Sequence, residues 1–298
     1  MVGYYITSID TGRGLVDHIQ ENNRGGRMNL REVLIESVQN KCSGSLNVKV
    51  DRFIKAVENE DSVSAFSVAT LENSAIGISY NLFHRDPYGM ERYRLWDMKS
   101  VIGKQAGEVM ELFLSDDPLE KTAGLAVINA LSQDYIRKNP GEYQIDFESD
   151  IIDLIKPDKL TIVGLVGYFS PMIGSIMKLV GEVIVLEKDE SLLKGSYPFT
   201  MTNDPSELGR CDKVLMTATT VLNDSLAGLL PFCTNADLLV VMGPSAGFLP
   251  DALFDTGVHV VGGTYIDDPE LFIERFESGI KWGDSTRKVW FRAKVPGR

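Results

Sequence analysis

The second half of the chain, from about Asp158 onward, alternates short apolar runs with segments of helical periodicity. The runs are continuously apolar, as expected for strands that are covered on both faces. They are Leu160 to Val166, Val183 to Leu186, Lys213 to Met216, Leu238 to Met242 and Val258 to Val261. Strands that alternate with helices in this way predict a parallel sheet with crossover helices. We therefore expect a Rossmann-like α/β domain, with helices on both faces of the sheet.

The first half lacks this alternation and predicts an α+β domain. Its strand-like segments are Val48 to Val57, Ser64 to Thr70 and Ala75 to Tyr80, and residues 72–74 suit a hairpin turn. A polar, aromatic loop is predicted from Asn81 to Trp96, followed by a helix from Val101 to Leu114.

A second helix with a narrow face of small residues is predicted after Asp117. Asp117 suits the N-cap, Pro118 suits the first turn, and Glu120 would complete a capping box. The polar stretch that follows this helix separates the two predicted domains, residues 1–145 and 146–298. The first 25 residues are expected to be an extension to the first domain.

Composition and charge narrow the function classes. The formal charge of −12 argues against a nucleic-acid partner, because phosphate binding needs a basic surface. The basic tail, in which charges alternate with Val289 and Phe291, predicts an edge strand. The sequence has no apolar run long enough for a membrane-spanning helix, and its start does not resemble a secretory signal. Three widely spaced cysteines argue against a disulfide framework and predict a cytoplasmic protein.

Glycine- and hydroxyl-bearing segments follow four of the predicted strands. In an open parallel sheet, ligands bind beyond the carboxyl ends of the strands, where the strand order reverses. Glycines let the backbone approach a ligand, and free amides at helix starts favour an anionic group. Each loop alone also fits ordinary turn or cap chemistry, with Ser170 and Asn223 as N-caps. Together they predict a ligand site formed by Gly167, Tyr168, Phe169, Ser170, Thr219, Thr220, Asn223, Gly243, Pro244, Ser245, Gly262 and Gly263.

Glu187 ends the second predicted strand of this sheet, about 20 residues after the first glycine, where a dinucleotide fold binds a ribose hydroxyl. The turn Gly164-x-x-Gly167 departs from the GxGxxG pattern, however. Glu187 can therefore be a ligand-binding acid or a solvated strand end.

Other polar residues suggest chemistry near the same place. His84, beside Arg85 and Asp86, is a candidate metal ligand or catalytic residue, although a solvated loop is the alternative. His259 lies in an apolar strand and is expected to be a core histidine. Asn129 and Glu120 lie on the small-residue helix and are candidates for an interdomain cleft. Asn129 has apolar neighbours, and a buried amide requires hydrogen-bond partners.

The order of the loops resembles the heavy-metal chelation domain family, which is largely uncharacterised. The resemblance covers roughly residues 150–279, and the stretch before it resembles the companion domain with an enolase N-terminal-like fold. The motifs that carry it are Val163-Gly164-Leu165-Val166-Gly167-Tyr168-Phe169, Leu186-Glu187-Lys188-Asp189, Thr219-Thr220-Val221-Leu222-Asn223-Asp224, Gly243-Pro244-Ser245 and Phe254-Asp255-Thr256-Gly257-Val258 with Gly262-Gly263.

The resemblance implies a ligand cleft between the two domains and a role in binding a metal or a cobalamin-related cofactor. A metal would need oxygen ligands such as Glu120, Glu187 or Asp224, with His84, or would arrive inside an anionic ligand such as a tetrapyrrole. Three functions stay open: a binding or chelating protein, an enzyme that uses NAD, S-adenosylmethionine or ATP, and a regulatory or scaffold protein. Whether the chain is an enzyme or a homodimer also stays open.

Overall fold

The computed structural model describes residues 29–55, 58–59, 62–63 and 65–293. The expected N-terminal extension and the last residues of the basic tail lie outside the described residues.

The first part of the chain is a three-stranded antiparallel sheet that is followed by helices. Its elements are α1 (Leu30–Lys41), β1 (Val50–Ile54), β2 (Glu58–Asn59), β3 (Ser62–Val63), β4 (Phe66–Leu71), β5 (Ile76–Tyr80), α2 (Pro87–Leu95), α3 (Ala106–Met110) and α4 (Pro118–Lys138). The sheet has the order β1-β4-β5, and the hairpin predicted between the last two strands is present. The predicted α+β class is confirmed.

Helix α4 begins where the sequence predicts. The Asp117 carboxylate accepts a hydrogen bond from the Leu119 amide at 2.8 Å, and Pro118 occupies the first turn. A capping box also requires the Glu120 side chain to accept a hydrogen bond from the Asp117 amide, and this second bond is not present at the start of the described helix. The small-residue face lies so close to β5 that a Cβ on Gly77 would be 2.0 Å from the Ala126 carbonyl oxygen. Small side chains therefore set the distance between this helix and the sheet.

Two predictions for the first part are wrong. The expected loop from Asn81 to Trp96 contains helix α2, because the Asp86 side chain caps the amides of Tyr88 and Gly89. The expected helix from Val101 to Leu114 is reduced to α3 and one 3-10 turn, since Gly103 adopts a positive φ of 79°.

The second part is an eight-stranded mixed sheet with the order β6-β13-β12-β11-β10-β7-β8-β9. Its elements are β6 (Gln144–Asp146), α5 (Ile151–Ile155), β7 (Ile162–Val166), α6 (Ser170–Ile176), β8 (Glu182–Leu186), α7 (Glu190–Leu193), β9 (Thr200–Thr202), β10 (Lys213–Thr217), α8 (Thr219–Leu222), α9 (Leu226–Leu229), β11 (Leu238–Met242), α10 (Asp251–Phe254), β12 (Val260–Ile266), α11 (Pro269–Glu277) and β13 (Thr286–Arg292). Strands β7 to β12 are parallel, and numbered among themselves they have the order 3-2-1-4-5-6 of a dinucleotide-binding fold. The predicted Rossmann-like sheet is confirmed.

The end of this sheet differs from the prediction. Strand β12 continues to Ile266, so Gly262 and Gly263 lie inside a strand and not in a ligand loop. A Cβ on Gly262 would be 2.2 Å from the Trp290 ring, and a Cβ on Gly263 would be 2.6 Å from the Ala246 carbonyl oxygen. These glycines therefore serve close packing. Strand β13 is not an edge strand, because β6 pairs with its outer side.

One hydrophobic core joins the two parts. It contains Val50 and Phe113 from the first part, Leu131 from α4, and Met216 and Val261 from the large sheet. The boundary near residue 145 stays a prediction. No helix among the described residues is long and apolar enough to cross a membrane.

Candidate functional site

The carboxyl ends of three neighbouring strands come together at the point where the strand order reverses. Gly167, after β7, has φ +101°, and a Cβ there would be 3.1 Å from the Thr217 side chain at the end of β10. Gly243, after β11, has φ +144°, and a Cβ there would be 3.5 Å from the Ala218 Cβ. The loops that the sequence predicts to converge therefore lie side by side.

One backbone amide in each of these loops is already used by the sheet and is not free to bind an anion. The amide of Gly167 donates to the Leu186 carbonyl at 2.9 Å, and that of Gly243 donates to the Gly262 carbonyl at 2.9 Å. The Ala218 amide donates to the Met242 carbonyl at 2.8 Å. These bonds extend the ladder of the parallel sheet, so these three amides do not contribute to an anion site.

Ser170 and Asn223, which were expected to be N-caps, do not occupy N-cap positions. Ser170 is the first residue of α6, and Phe169 stands at the N-cap without a side-chain cap bond. Asn223 ends α8, and its Oδ1 accepts from the Ser225 amide. Thr220 is buried and donates to the Thr217 carbonyl at 2.7 Å, and Thr219 donates to the Thr217 hydroxyl.

Ser245 and Asn129 join the two parts of the chain. The Ser245 hydroxyl accepts from the Tyr80 amide at 2.8 Å. The Asn129 side-chain amide donates to the carbonyls of Ile78 and Ser245, at 2.7 and 2.9 Å. Both residues are buried, so they act as connections between the parts and not as surfaces for a ligand. Pro244, which precedes Ser245, is half-buried beside them.

The end of β5 brings a tyrosine and a histidine to this edge of the large sheet. His84 Nδ1 lies 3.0 Å from the Asn81 carbonyl oxygen, and His84 Nε2 lies 3.2 Å from the Tyr80 hydroxyl. A carbonyl oxygen only accepts, so Nδ1 carries the proton and Nε2 accepts from Tyr80. Burial lowers the pKa of His84, against the bond to Asn81, and the nearby Arg85 lowers it further. The imidazole is thus held neutral, with a fixed tautomer.

Glu187 and Asp189 face this pair from the carboxyl end of β8. Burial raises the pKa of the Tyr80 phenol, and the charge of Glu187 raises it further, against the opposing effect of Arg85. The Arg85 guanidinium lies 3.2 Å from the Asp189 carboxylate. Glu187 Oε1 accepts from the amides of Lys188 and Asp189, at 2.7 and 3.1 Å, which fixes the carboxylate in its own loop. We call this set the β5–β8 cluster: Tyr80, His84, Arg85, Glu187 and Asp189.

Sequence reasoning singles out His84 and Glu187 but does not predict that Tyr80 and Arg85 connect them in the β5–β8 cluster. It missed Tyr80, which was assigned only to the end of a strand. A tyrosine at a strand end, four residues before a histidine in a polar segment, is the signal that was available.

The other predicted metal ligands lie apart from the β5–β8 cluster or are already paired. The Asp224 carboxylate lies 3.0 Å from Arg31 Nε and 2.9 Å from Lys121 Nζ. Glu120 is half-buried, and it adds a small effect to that of Asp117, which is the main cause of the raised pKa of Arg92. His259 is exposed and not in the core as predicted, and its Nδ1 accepts from the Leu239 amide.

A bare heavy-metal ion does not fit the donors that the described residues offer. Among them, no group of three or more histidine, cysteine or acidic side chains is placed to hold a metal. The three thiols are buried, and each lies within hydrogen-bond distance of a carbonyl oxygen. Burial raises the pKa of each thiol to about 12, so the thiolate that a soft metal prefers is disfavoured.

Two cavities lie elsewhere in the described structure. One, of about 440 Å³, lies at the amino ends of β8 and β9. The other, of about 430 Å³, is lined by Lys41, Tyr143 and Asp251, which hydrogen-bond to one another.

Known proteins resemble the chain over most of its length. An uncharacterized protein of Methanocaldococcus jannaschii is 26% identical over 272 residues, which cover 86% of this chain and 96% of the relative. The solved structure of a protein of unknown function from Pyrococcus horikoshii has a TM-score of 0.66 and 19% identity, and covers 87% of this chain and 100% of its own. A protein from Desulfitobacterium hafniense has the same TM-score and identity and covers 88% and 100%. Both are described as members of the DUF364 family, and they share the fold.

Two family models match the chain, and both are described as "Putative heavy-metal chelation". DUF364 matches residues 150–294, which contain the Rossmann-like sheet. DUF4213 matches residues 63–132, from the first antiparallel sheet to helix α4. The resemblance inferred from the loops is thereby confirmed. Residues 63–132 and 150–294 are therefore each similar to a family described as "Putative heavy-metal chelation".

Proposed function

We propose that the chain binds a small organic anion that brings its own metal, in the cleft between residues 80–85 and the carboxyl ends of β7, β8 and β10. The observation that carries this proposal is the β5–β8 cluster, in which side chains from both parts of the chain face one another. Ligand sites occur preferentially between structural units and at the reversal point of a parallel sheet.

Each member of the cluster suits one feature of such a ligand. Arg85 is exposed and lies at the long distance of 3.2 Å from Asp189, so its guanidinium can turn to a carboxylate on the ligand. The neutral His84 offers one nitrogen donor, Nε2, if the metal takes the place of the Tyr80 hydroxyl there; its other ring nitrogen orients it as in metal-binding histidines. One histidine and one carboxylate are too few to chelate an ion alone, so the remaining donors would belong to the ligand.

The test compares bare metal ions with a carboxylated metal complex. Zinc, nickel and cobalt ions, and iron protoporphyrin, are titrated into the full chain and followed by calorimetry and absorption. We expect the porphyrin complex to bind and the bare ions to bind at least about tenfold more weakly. Arg85→Gln should weaken porphyrin binding about tenfold or more, because a hydrogen bond to a charged group contributes about 1.5–3 kcal/mol.

The matched control is Arg52→Gln, which removes a partly exposed arginine paired with Glu277 on another surface. It should leave porphyrin binding unchanged. Equal effects of the two arginine variants, or bare ions that bind as tightly as the complex, would contradict the proposal.

A second candidate is an enzyme that uses an adenine nucleotide-type cofactor. The strand order 3-2-1-4-5-6, with Glu187 at the end of its second strand, favours this candidate, because an acid there binds ribose hydroxyls. Gly164 weakens it, since this glycine lies inside β7 against Cys211 and not in a phosphate turn.

Thermal shift with NAD, S-adenosylmethionine and ATP tests this candidate. A cofactor at 100 times its dissociation constant stabilises the folded chain by about 2.7 kcal/mol. Glu187→Gln should reduce that shift for NAD and ATP, while Glu190→Gln, on the exposed start of α7, should not. No shift with any of the three would count against a nucleotide.

A further inference from the structure

The crossover between β8 and β9, like those after β10 and β11, contains only short helices. Helix α7 has four residues, which is about 6 Å of helix against about 16 Å for a five-residue strand. Parallel sheets are normally covered by helices on both faces. Part of the surface beside β8 and β9 is therefore left to side chains and to the cavity of about 440 Å³ at the amino ends of these strands.

Two stacked aromatic rings form one wall of this cavity. Tyr197 and Phe199 have ring centroids 4.9 Å apart and an interplanar angle of 25°. The Tyr197 ring is packed against the backbone at Gly195, where a Cβ would lie 2.5 Å from the Tyr197 hydroxyl. Both rings also contact Tyr168, with centroids 5.9 and 6.4 Å away. Because the three rings contact one another, they restrict one another's movement and give this wall a fixed shape.

The rest of the cavity adds an adaptable apolar side and a fixed acceptor. Met177, Val180 and Val183 also line it, and the methionine can adjust to the shape of a guest. The Glu182 carboxylate at the lining accepts from Thr200 at 3.2 Å and pairs with Arg210 at 2.7 Å. These partners hold the carboxylate in place, so it remains able to accept a hydrogen bond from a guest.

We propose that this cavity is a second binding site, separate from the β5–β8 cluster, for a small flat aromatic molecule that bears a hydrogen-bond donor. Its volume lies in the range of small-molecule sites, about 300–1,000 Å³. The guest stacks on an outer face of the Tyr197–Phe199 pair and donates to Glu182. This site does not depend on the proposed function, because no residue of the β5–β8 cluster lines it.

The test uses two neutral probes that differ in flatness, 2-naphthol and its saturated analogue decahydro-2-naphthol. Both are titrated into the full chain and followed by saturation-transfer NMR. We expect 2-naphthol to bind at one site per chain, and the saturated probe to bind about threefold to tenfold more weakly, the contribution of an aromatic stack. Equal binding of the two probes would overturn the proposal.

Variants locate the site. Met177→Trp fills the cavity and should reduce 2-naphthol binding at least tenfold, whereas Leu179→Trp, at a residue that is 40% exposed and outside the lining, should not. Tyr197→Leu keeps an apolar side chain but removes the ring, and should reduce the preference for the flat probe. Thermal melting checks that each variant folds. If Leu179→Trp reduces binding as much as Met177→Trp, or if Met177→Trp instead separates a dimer in sedimentation, the site is not a small-molecule site.

Discussion

Asn129 connects the two parts of the chain through its side-chain amide, which donates to the carbonyls of Ile78 and Ser245. Asn129→Leu would leave both carbonyls buried without this donor. We expect the free energy of unfolding to fall by about 2–4 kcal/mol, since each unpaired buried group costs about 1–3 kcal/mol. Urea denaturation followed by circular dichroism measures the loss. The exposed Asn223→Leu should cost less than about 1 kcal/mol, and equal losses in the two variants would contradict the connecting role.

His84 makes stability depend on pH. Burial lowers its pKa below the ordinary value of 6.5, so the unfolded chain takes up a proton at a higher pH than the folded chain does. The contribution of the neutral imidazole is therefore present above pH 6.5 and is lost as the pH falls through the lower, folded pKa. When the native chain is denatured with urea at several pH values between about 7 and 5, the free energy of unfolding should decrease as the pH decreases. His84→Gln should flatten this slope, and an unchanged slope would show that other groups, such as His259, set it.

At the scale of elements, the contact between α4 and β5 depends on the absence of a side chain at Gly77. A Cβ there would be 2.0 Å from the Ala126 carbonyl oxygen and 2.3 Å from the Ala130 amide. Both atoms are backbone, so neither can move without displacing the helix. Gly77→Ala should destabilise the chain by about 3 kcal/mol or more, as measured by urea denaturation or by loss of soluble protein.

The control is Gly174→Ala in helix α6, where a Cβ would meet nothing within 4 Å. This change should stabilise the chain by up to about 1 kcal/mol, because alanine is the better helix former. A destabilised Gly174→Ala together with a stable Gly77→Ala would refute the packing argument.

The elements that the sequence predicts well are those with a continuous apolar pattern. The parallel strands β7, β8, β10 and β11 fall within two residues of prediction, because burial on both faces requires apolar residues throughout. Helix α2 was missed because its Gly89 and polar residues resemble a loop, and its cap at Asp86 becomes decisive only when the chain is folded. Gly262 and Gly263 suggested a loop because the close approach of Trp290 cannot be read from sequence.

The candidate site was predicted less completely than the fold. Glycine loops at the strand ends follow from the parallel order, and those after β7 and β10 do lie together. The β5–β8 cluster depends on how the first part packs against the sheet, and no local pattern encodes that packing. The same packing explains why Asn129 and Ser245 became connections, since both lie where the two parts meet.

At the scale of the whole molecule, Asp224 connects the part of the chain that forms the large sheet to helices α1 and α4 of the first part. Its carboxylate pairs with Arg31 and with Lys121, whose side chain is only 9% exposed. Asp224→Ala would leave the nearly buried lysine without its partner. We expect a loss of about 1–3 kcal/mol, reduced from the cost of a fully buried pair because Asp224 is itself 43% exposed. Thermal and urea denaturation measure it.

Asp116→Ala is the matched control, because this carboxylate is 99% exposed and contacts the same Arg31 at 3.5 Å. Its loss should be less than about 0.5 kcal/mol. In both variants unfolding should remain a single transition, since one core serves both parts. Equal losses in the two variants would contradict the role of Asp224, and two separate transitions would contradict the shared core.

The shared core also affects how susceptible the chain is to proteolysis. A protease cuts a compact protein by waiting for a segment to open, and here opening the first antiparallel sheet exposes residues that the large sheet needs. A small molecule held by both Tyr80 and Glu187 would therefore protect peptide bonds far from these two residues, including those in β12 and β13. Protection that spreads through the whole chain would mark this protein as one cooperative unit, although two family models describe it.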